Sequence, residues 1–105
     1  MEDLSSEQII MELIVNGGDG RSKALEAIYL AKKGDFEGAM EKLDQCNQSL
    51  NKAHVFQTNL IQAEAGGDGG KVSLLMVHGQ DHLMNAITVR DLAIEIVELY
   101  KQIKK

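Results

Sequence analysis

Along this chain apolar residues recur at steps of three and four, and glycines interrupt the recurrence. That spacing gathers them on one side of an α-helix, so the chain reads as helical. Ser5 or Ser6 followed by Glu7 and Gln8 has the form of a helix start, and Ile9, Ile10, Leu13 and Ile14 follow at helical spacing. The pattern resumes with Ala24, Leu25, Ala27, Ile28 and Ala31, then stops at Lys32, Lys33 and Gly34, cations in the last turn followed by a capping glycine. Between the halves, Asn16-Gly17-Gly18-Asp19-Gly20 carries three glycines, each costing about 1 kcal/mol relative to alanine inside a helix. On pattern alone this segment predicts a loop or a kink. A phosphate-cradling loop is a weak alternative, because Gly20-Arg21-Ser22 lacks the P-loop spacing and no strand precedes it.

Asp35 caps a second predicted helix, whose stripe Phe36, Ala39, Leu43, Cys46, Leu50, Ala53, Gln57 and Leu60 alternates steps of three and four. Cys46 lies on that stripe and reads as a core filler, not as a reactive thiol. Gly66-Gly67-Asp68-Gly69-Gly70 then breaks the chain as a turn.

The third helix is predicted from about Val72 to the C-terminus. With successive residues turned by 100° and Asp81 at zero, its apolar residues, from Leu83 and Ala86 to Leu99 and Ile103, fill an arc of roughly 240°. A helix packed on one core needs an arc of only about 100° or somewhat more. Thr88, Asp91, Glu95, Glu98 and Gln102 form the only continuous polar strip. The third helix is therefore expected to bury two faces, one within the chain and one against further copies, since so wide an apolar surface left in water marks association. A parallel bundle of third helices around a cyclic axis is the simplest closed arrangement.

Composition supports the same class. The 105 residues include no proline and one cysteine, so nothing breaks a long helix from within and no disulfide framework exists. The length is that of one domain, 1–105. A formal charge of −5 argues against nucleic acid, whose backbone is held by clustered Lys and Arg; Lys101, Lys104 and Lys105 are too few to reverse that. No run approaches about 18 consecutive apolar residues, and Met1-Glu2-Asp3 is acidic where a signal peptide would be basic, so the expected location is cytoplasmic.

Candidate chemistry is concentrated in His78-Gly79-Gln80-Asp81-His82. On the wheel His78 falls at about 60° and His82 at about 100°, inside the apolar arc, with Asp81 at its edge. Two histidines at i and i+4 leave three readings open. They are hydrogen-bonded core residues in a non-enzymatic helical interaction protein. They are zinc ligands of a metal-binding bundle, although Gly79 stands where an H-E-x-x-H protease needs Glu. Or one is a nucleophile whose neutral ring nitrogen attacks phosphorus while the other nitrogen is held in a fixed tautomer. His54, near the second-helix stripe, reads as an interface or buried polar residue. Gly79 invites either a close partner surface or a tight helix contact.

Gly20-Arg21-Ser22, Gly34-Asp35-Phe36, Ala53-His54 with Gln57-Thr58, and above all Val77-His78-Gly79-Gln80-Asp81-His82-Leu83-Met84 resemble, in order and spacing, the enzyme IIA proteins of the lactose/cellobiose family of the bacterial phosphoenolpyruvate-dependent sugar phosphotransferase system. The resemblance covers nearly the whole chain. It implies an all-α fold, an antiparallel three-helix bundle assembling into a homotrimer with the third helices around the axis. It implies a phospho-carrier that takes a phosphoryl group from phospho-HPr on His78 and passes it to the IIB component, with the membrane-embedded IIC acting on a β-linked disaccharide. It also implies that Asp81 from three subunits meets on the axis around one metal ion; oxygen ligands favour Mg2+. Gln80 and His82 enter as neighbours that support the phosphohistidine. The chain departs from the family pattern at Gly17, Gly18 and Gly20, where relatives often carry Ala or Ser. The resemblance implies one long helix through Asn16 to Gly20, and we adopt it over the loop because packing overrides propensity.

Overall fold

The computed structural model describes residues 5–67 and 72–104. Met1–Asp3, the Asp68–Gly70 part of the turn and Lys105 lie outside them. Three helices follow one another: α1 (Ser6–Lys32), α2 (Phe36–Ala65) and α3 (Leu74–Ile103). They run up, down and up in a rod whose Cα extents are 54 × 23 × 18 Å.

Each helix starts where a side chain can take up an orphan N–H. The Ser5 hydroxyl accepts from the Gln8 N–H at 3.2 Å, and the Gln8 side chain accepts from the Ser5 N–H at 2.8 Å, closing the capping box. The Asp35 carboxylate accepts from the Gly38 N–H at 2.9 Å. At α3 the cap is Ser73, which accepts from the Met76 N–H at 3.1 Å, so the helix begins two residues after the predicted Val72. Gly34 follows the end of α1 at φ +92°, a left-handed conformation that lets the chain turn into α2.

α1 is continuous through Asn16–Gly20, as the family resemblance implied and against the loop expected from pattern alone. The physical reason is close packing. Gly17 and Gly20 are buried at helix contacts, Gly17 against the α3 backbone at His82 and Leu83, Gly20 against the Leu50 side chain of α2. The propensity cost of the two glycines is offset by the approach they permit. Gly18, in contrast, meets nothing within 4 Å.

The core is built largely from small residues: Ala24, Ala27 and Ala31 on α1, Ala39 and Ala53 on α2, Ala86 and Ala93 on α3, with Leu13, Leu83 and Val97 filling between them. Six of the eight residues of the predicted α2 stripe are buried, and Phe36 and Gln57 are half-buried. Cys46 is among the buried six. Burial pushes its thiol up, with the Arg90 charge opposing it, which fits the core-filler reading.

α3 does present two apolar faces. One, with Gly79, Leu83, Ala86, Ala93 and Val97, is buried against the rest of the chain. The other leaves Leu92, Leu99 and Ile103 more than half exposed, at 58%, 56% and 66%. The strip Thr88, Asp91, Glu95, Glu98 and Gln102 is exposed, as predicted. No helix among the described residues is long and apolar enough to cross a membrane.

Candidate functional site

The first turns of α3 carry the site. Gly79 is buried with its Cα facing α1, where an added Cβ would stand 3.0 Å from the Ile10 side chain and 3.4 Å from its carbonyl oxygen. Its missing side chain therefore serves a tight helix contact, the second of the two roles open from sequence. With Gly79 pressed inward, His78 on one side of it is turned out and exposed, and Gln80 on the other is half-buried toward α2.

His78 and His82 stand one turn apart on the same face. Their rings meet edge to face, centroids 4.5 Å apart and planes at 84°, and their Nε2 atoms are 3.1 Å from one another. One Nε2 must donate and the other accept. If His82 donates, the lone pair of His78 Nε2 is directed at His82, and His78 carries its own proton on Nδ1, the tautomer a nucleophilic Nε2 requires. His78 is the fifth residue of α3, beyond the first turn over which the helix dipole favours an anion.

Gln80 is fixed from α2: the Gln57 side-chain N–H donates to Gln80 Oε1 at 2.8 Å, and its amide also lies 3.9 Å from the Met84 sulfur. Asp81 is exposed beside His82, with no hydrogen bond or ion pair among the described residues. Arg21 of α1 joins Asp81, His82, Asn85 and Val89 to line a groove between α1 and α3. A second, apolar hollow brings Leu74 and Leu75 beside His78.

The structure thus brings together His78, Asp81 and His82 in neighbouring positions, with Gln80 in the same turn but directed toward α2. The reading of the histidines as buried core residues is corrected: His78 is exposed, His82 half-buried, and no buried side chain among the described residues is polar or charged. The zinc reading also fails within the chain, since no cluster of three or more His, Cys, Asp or Glu that could hold a metal occurs among the described residues. His54 is exposed on α2, which removes the buried half of its reading and leaves the interface half. Two residues had no role assigned from sequence: Asn85, and Arg21, whose place in the groove depends on α1 running unbroken past Gly20.

Comparison with known proteins agrees with this arrangement. The family profile described as "PTS system, Lactose/Cellobiose specific IIA subunit" matches residues 8–101. The chain is 59% identical over 97 residues to the lichenan-specific phosphotransferase enzyme IIA component of Bacillus subtilis (strain 168), covering 92% of this chain and 88% of that protein. It is 46% identical over 98 residues to the N,N'-diacetylchitobiose-specific EIIA component of Escherichia coli (strain K12), covering 93% and 84%. Its fold superposes on the crystal structure of the PTS cellobiose-specific enzyme IIA from Bacillus anthracis with a TM-score of 0.91 at 46% identity, over 97% of this chain and 94% of that one. It also superposes, at a TM-score of 0.85 and 43% identity over 98% and 100%, on a chain of the IIA(chitobiose)–HPr complex of the Escherichia coli phosphotransferase system. With the profile spanning residues 8–101 and relatives alike over most of their lengths, the chain belongs to the lactose/cellobiose-specific IIA family of phosphotransferase-system components.

Proposed function

We propose that His78 is the phosphoryl acceptor: this chain takes a phosphoryl group from phospho-HPr and hands it to a IIB component, which serves a membrane-embedded IIC that imports a β-linked disaccharide. The observation that carries this reading is the exposed His78 ring whose Nε2 is met at 3.1 Å by the Nε2 of His82. HPr as donor is supported by the fold's likeness to the IIA chain of a IIA–HPr complex. The sugar class is supported by relatives specific for lichenan and diacetylchitobiose. A cytoplasmic location follows from the donor, which works there.

In the transfer, the lone pair of His78 Nε2 attacks phosphorus as the donor's N–P bond breaks, and that bond's electron pair returns to the donor ring. With the non-reacting ring nitrogens protonated on both partners, no proton has to move. His82 must release His78 Nε2 for the attack, and its Nε2–H can then donate to a phosphoryl oxygen. The exposed Leu74, Leu75 and Val77 around His78 offer an apolar surface for the partner that brings or takes the phosphoryl group.

The assembly is proposed to be a homotrimer with the α3 helices around the axis. The wheel places Asp81, Leu92, Leu99 and Ile103 on one seam of α3, and that seam is exposed among the described residues. Three Asp81 carboxylates meeting at its end would repel unless a cation or a proton intervened. Asp81, exposed and without a hydrogen bond or ion pair among the described residues, fits a metal ion held only by three copies, and oxygen donors favour Mg2+ or Ca2+ over softer metals. Such an ion would supply charge neutralisation at the axis; no step of the transfer requires it.

The test is phosphoryl transfer from phosphoenolpyruvate through enzyme I and HPr, read by intact mass for the wild type and His78→Ala. One acid-labile phosphoryl group per chain, absent from the variant, is the expected result. A His78→Ala chain that is still phosphorylated would place the acceptor elsewhere.

A further inference from the structure

Once carried on His78, the phosphoryl group is a dianion at a place the α3 dipole serves poorly, so its charge has to be met by side chains. Arg21 is the cation on the neighbouring wall. It lines the groove between α1 and α3 together with Asp81, His82, Asn85 and Val89. His82 belongs both to this groove and to the contact with His78 Nε2, so the groove opens onto the position where the new N–P bond forms.

The register of the two helices sends the guanidinium the right way. α1 and α3 run parallel, with Gly79 against Ile10 and Gly17 against the backbone of His82 and Leu83. Arg21 stands one turn beyond Gly17. Side chains on a helix lean toward its N-terminus, which brings the Arg21 head back to the level of His82. Its charge is uncommitted: Arg21 is exposed and has neither a hydrogen bond nor an ion pair among the described residues, although Asp81 lines the same groove. Arg90, by comparison, is engaged with Asp91 at 3.1 Å and with Asn47.

We propose that Arg21 is the residue that holds the phosphoryl group of phospho-His78, its guanidinium pairing with phosphoryl oxygens from the α1 side of the groove while the His82 Nε2–H donates from the α3 side. The inference rests on His78 being the acceptor. A planar guanidinium can engage two oxygens at once, whereas a lysine ammonium in the same place keeps the charge and loses the fork.

The experiment compares wild type, Arg21→Lys, Arg21→Gln and His78→Ala, each as the full chain, equilibrated with a phosphorylated HPr pool, with the phosphorylated fraction read by intact mass at low and high salt and the fold checked by thermal melting. Arg21→Gln is expected to lower the ratio of phosphorylated to free chain by about threefold to tenfold at low salt, with Arg21→Lys between it and the wild type. The gap narrows at high salt, because an exposed charge pair is screened. A ratio unchanged in Arg21→Gln overturns the proposal, as does an equal, salt-independent loss in both Arg21 variants. A wild-type chain that takes no phosphoryl group removes the carrier reading and this inference together, whereas phosphorylation that is normal in Arg21→Gln and absent in His78→Ala removes only the inference.

Discussion

Gly17 of α1 lies against the main chain of α3, where an added Cβ would stand 3.3 Å from the carbonyl carbon and oxygen of His82 and from the nitrogen of Leu83. The contact sets the height of α1 against the site helix, and the rigid His82–Leu83 peptide facing it leaves a larger side chain no room to settle. Gly17→Val is therefore expected to destabilise the fold by roughly 1–3 kcal/mol through overpacking. Gly18→Ala, one residue on and facing open space, should stabilise it by about 0.5–1 kcal/mol, since alanine loses less backbone entropy in a helix. Chemical denaturation of the two variants decides the matter, and equal shifts of the same sign would show that α1 does not pack as described.

His82 should matter to the rate of transfer more than to its site. In His82→Ala the phosphoryl group still goes to His78, but the Nε2–H that orients the acceptor and greets the phosphate is lost. About a tenfold slower single turnover is expected, the scale of one hydrogen bond to a charged group. His82→Gln, which restores an N–H donor, should recover part of that loss. Rapid-quench transfer from phospho-HPr measures both; identical rates in the two variants and the wild type would leave the 3.1 Å contact without a catalytic role.

The helical class, the Ser5 and Asp35 caps and the α2 stripe were legible in sequence because each is a local property of a few residues. The two-faced α3 was legible too, since an arc too wide for one core shows on a helical wheel without any knowledge of the partner. The course of α1 through Gly17, Gly18 and Gly20 was not. Propensity weighs those glycines alike, whereas in the fold two sit at helix contacts and one in open space, a distinction made only by residues far along the chain. Only the family resemblance carried the helix through these glycines, and the residues alone gave Arg21 no role, since its relation to His82 exists only if α1 carries on past Gly20. The sequence placed His78 and His82 on one face but could not show that both rings would meet outside the core, because the side of α3 that turns inward is chosen by Gly79 and its fit to Ile10.

Leu99 tests the assembly. It is exposed in the chain, and on the wheel it shares the direction of Asp81, so on the proposed axis it would be enclosed by its own copies. Leu99→Asp would gather three carboxylates where an apolar layer is expected. The wild type should sediment as a trimer and the variant as a monomer with its helix content kept. A variant that remains trimeric would move the axis away from this seam.

Asp81 tests the other end of the same seam. A carboxylate that has no partner among the described residues, brought close to two copies of itself, makes the wild-type trimer dependent on whatever neutralises it. Chelation should therefore lower the melting temperature of the wild type, and added Mg2+ should restore it. Asp81→Leu removes the repulsion together with the ligand. It should stay trimeric, contain no bound metal by elemental analysis, and melt at the same temperature with or without chelator. A wild type indifferent to chelation, or an Asp81→Leu protein with unchanged metal content, would show that the three carboxylates do not share an ion, and protonation or a cation from the chain itself would then have to hold them together.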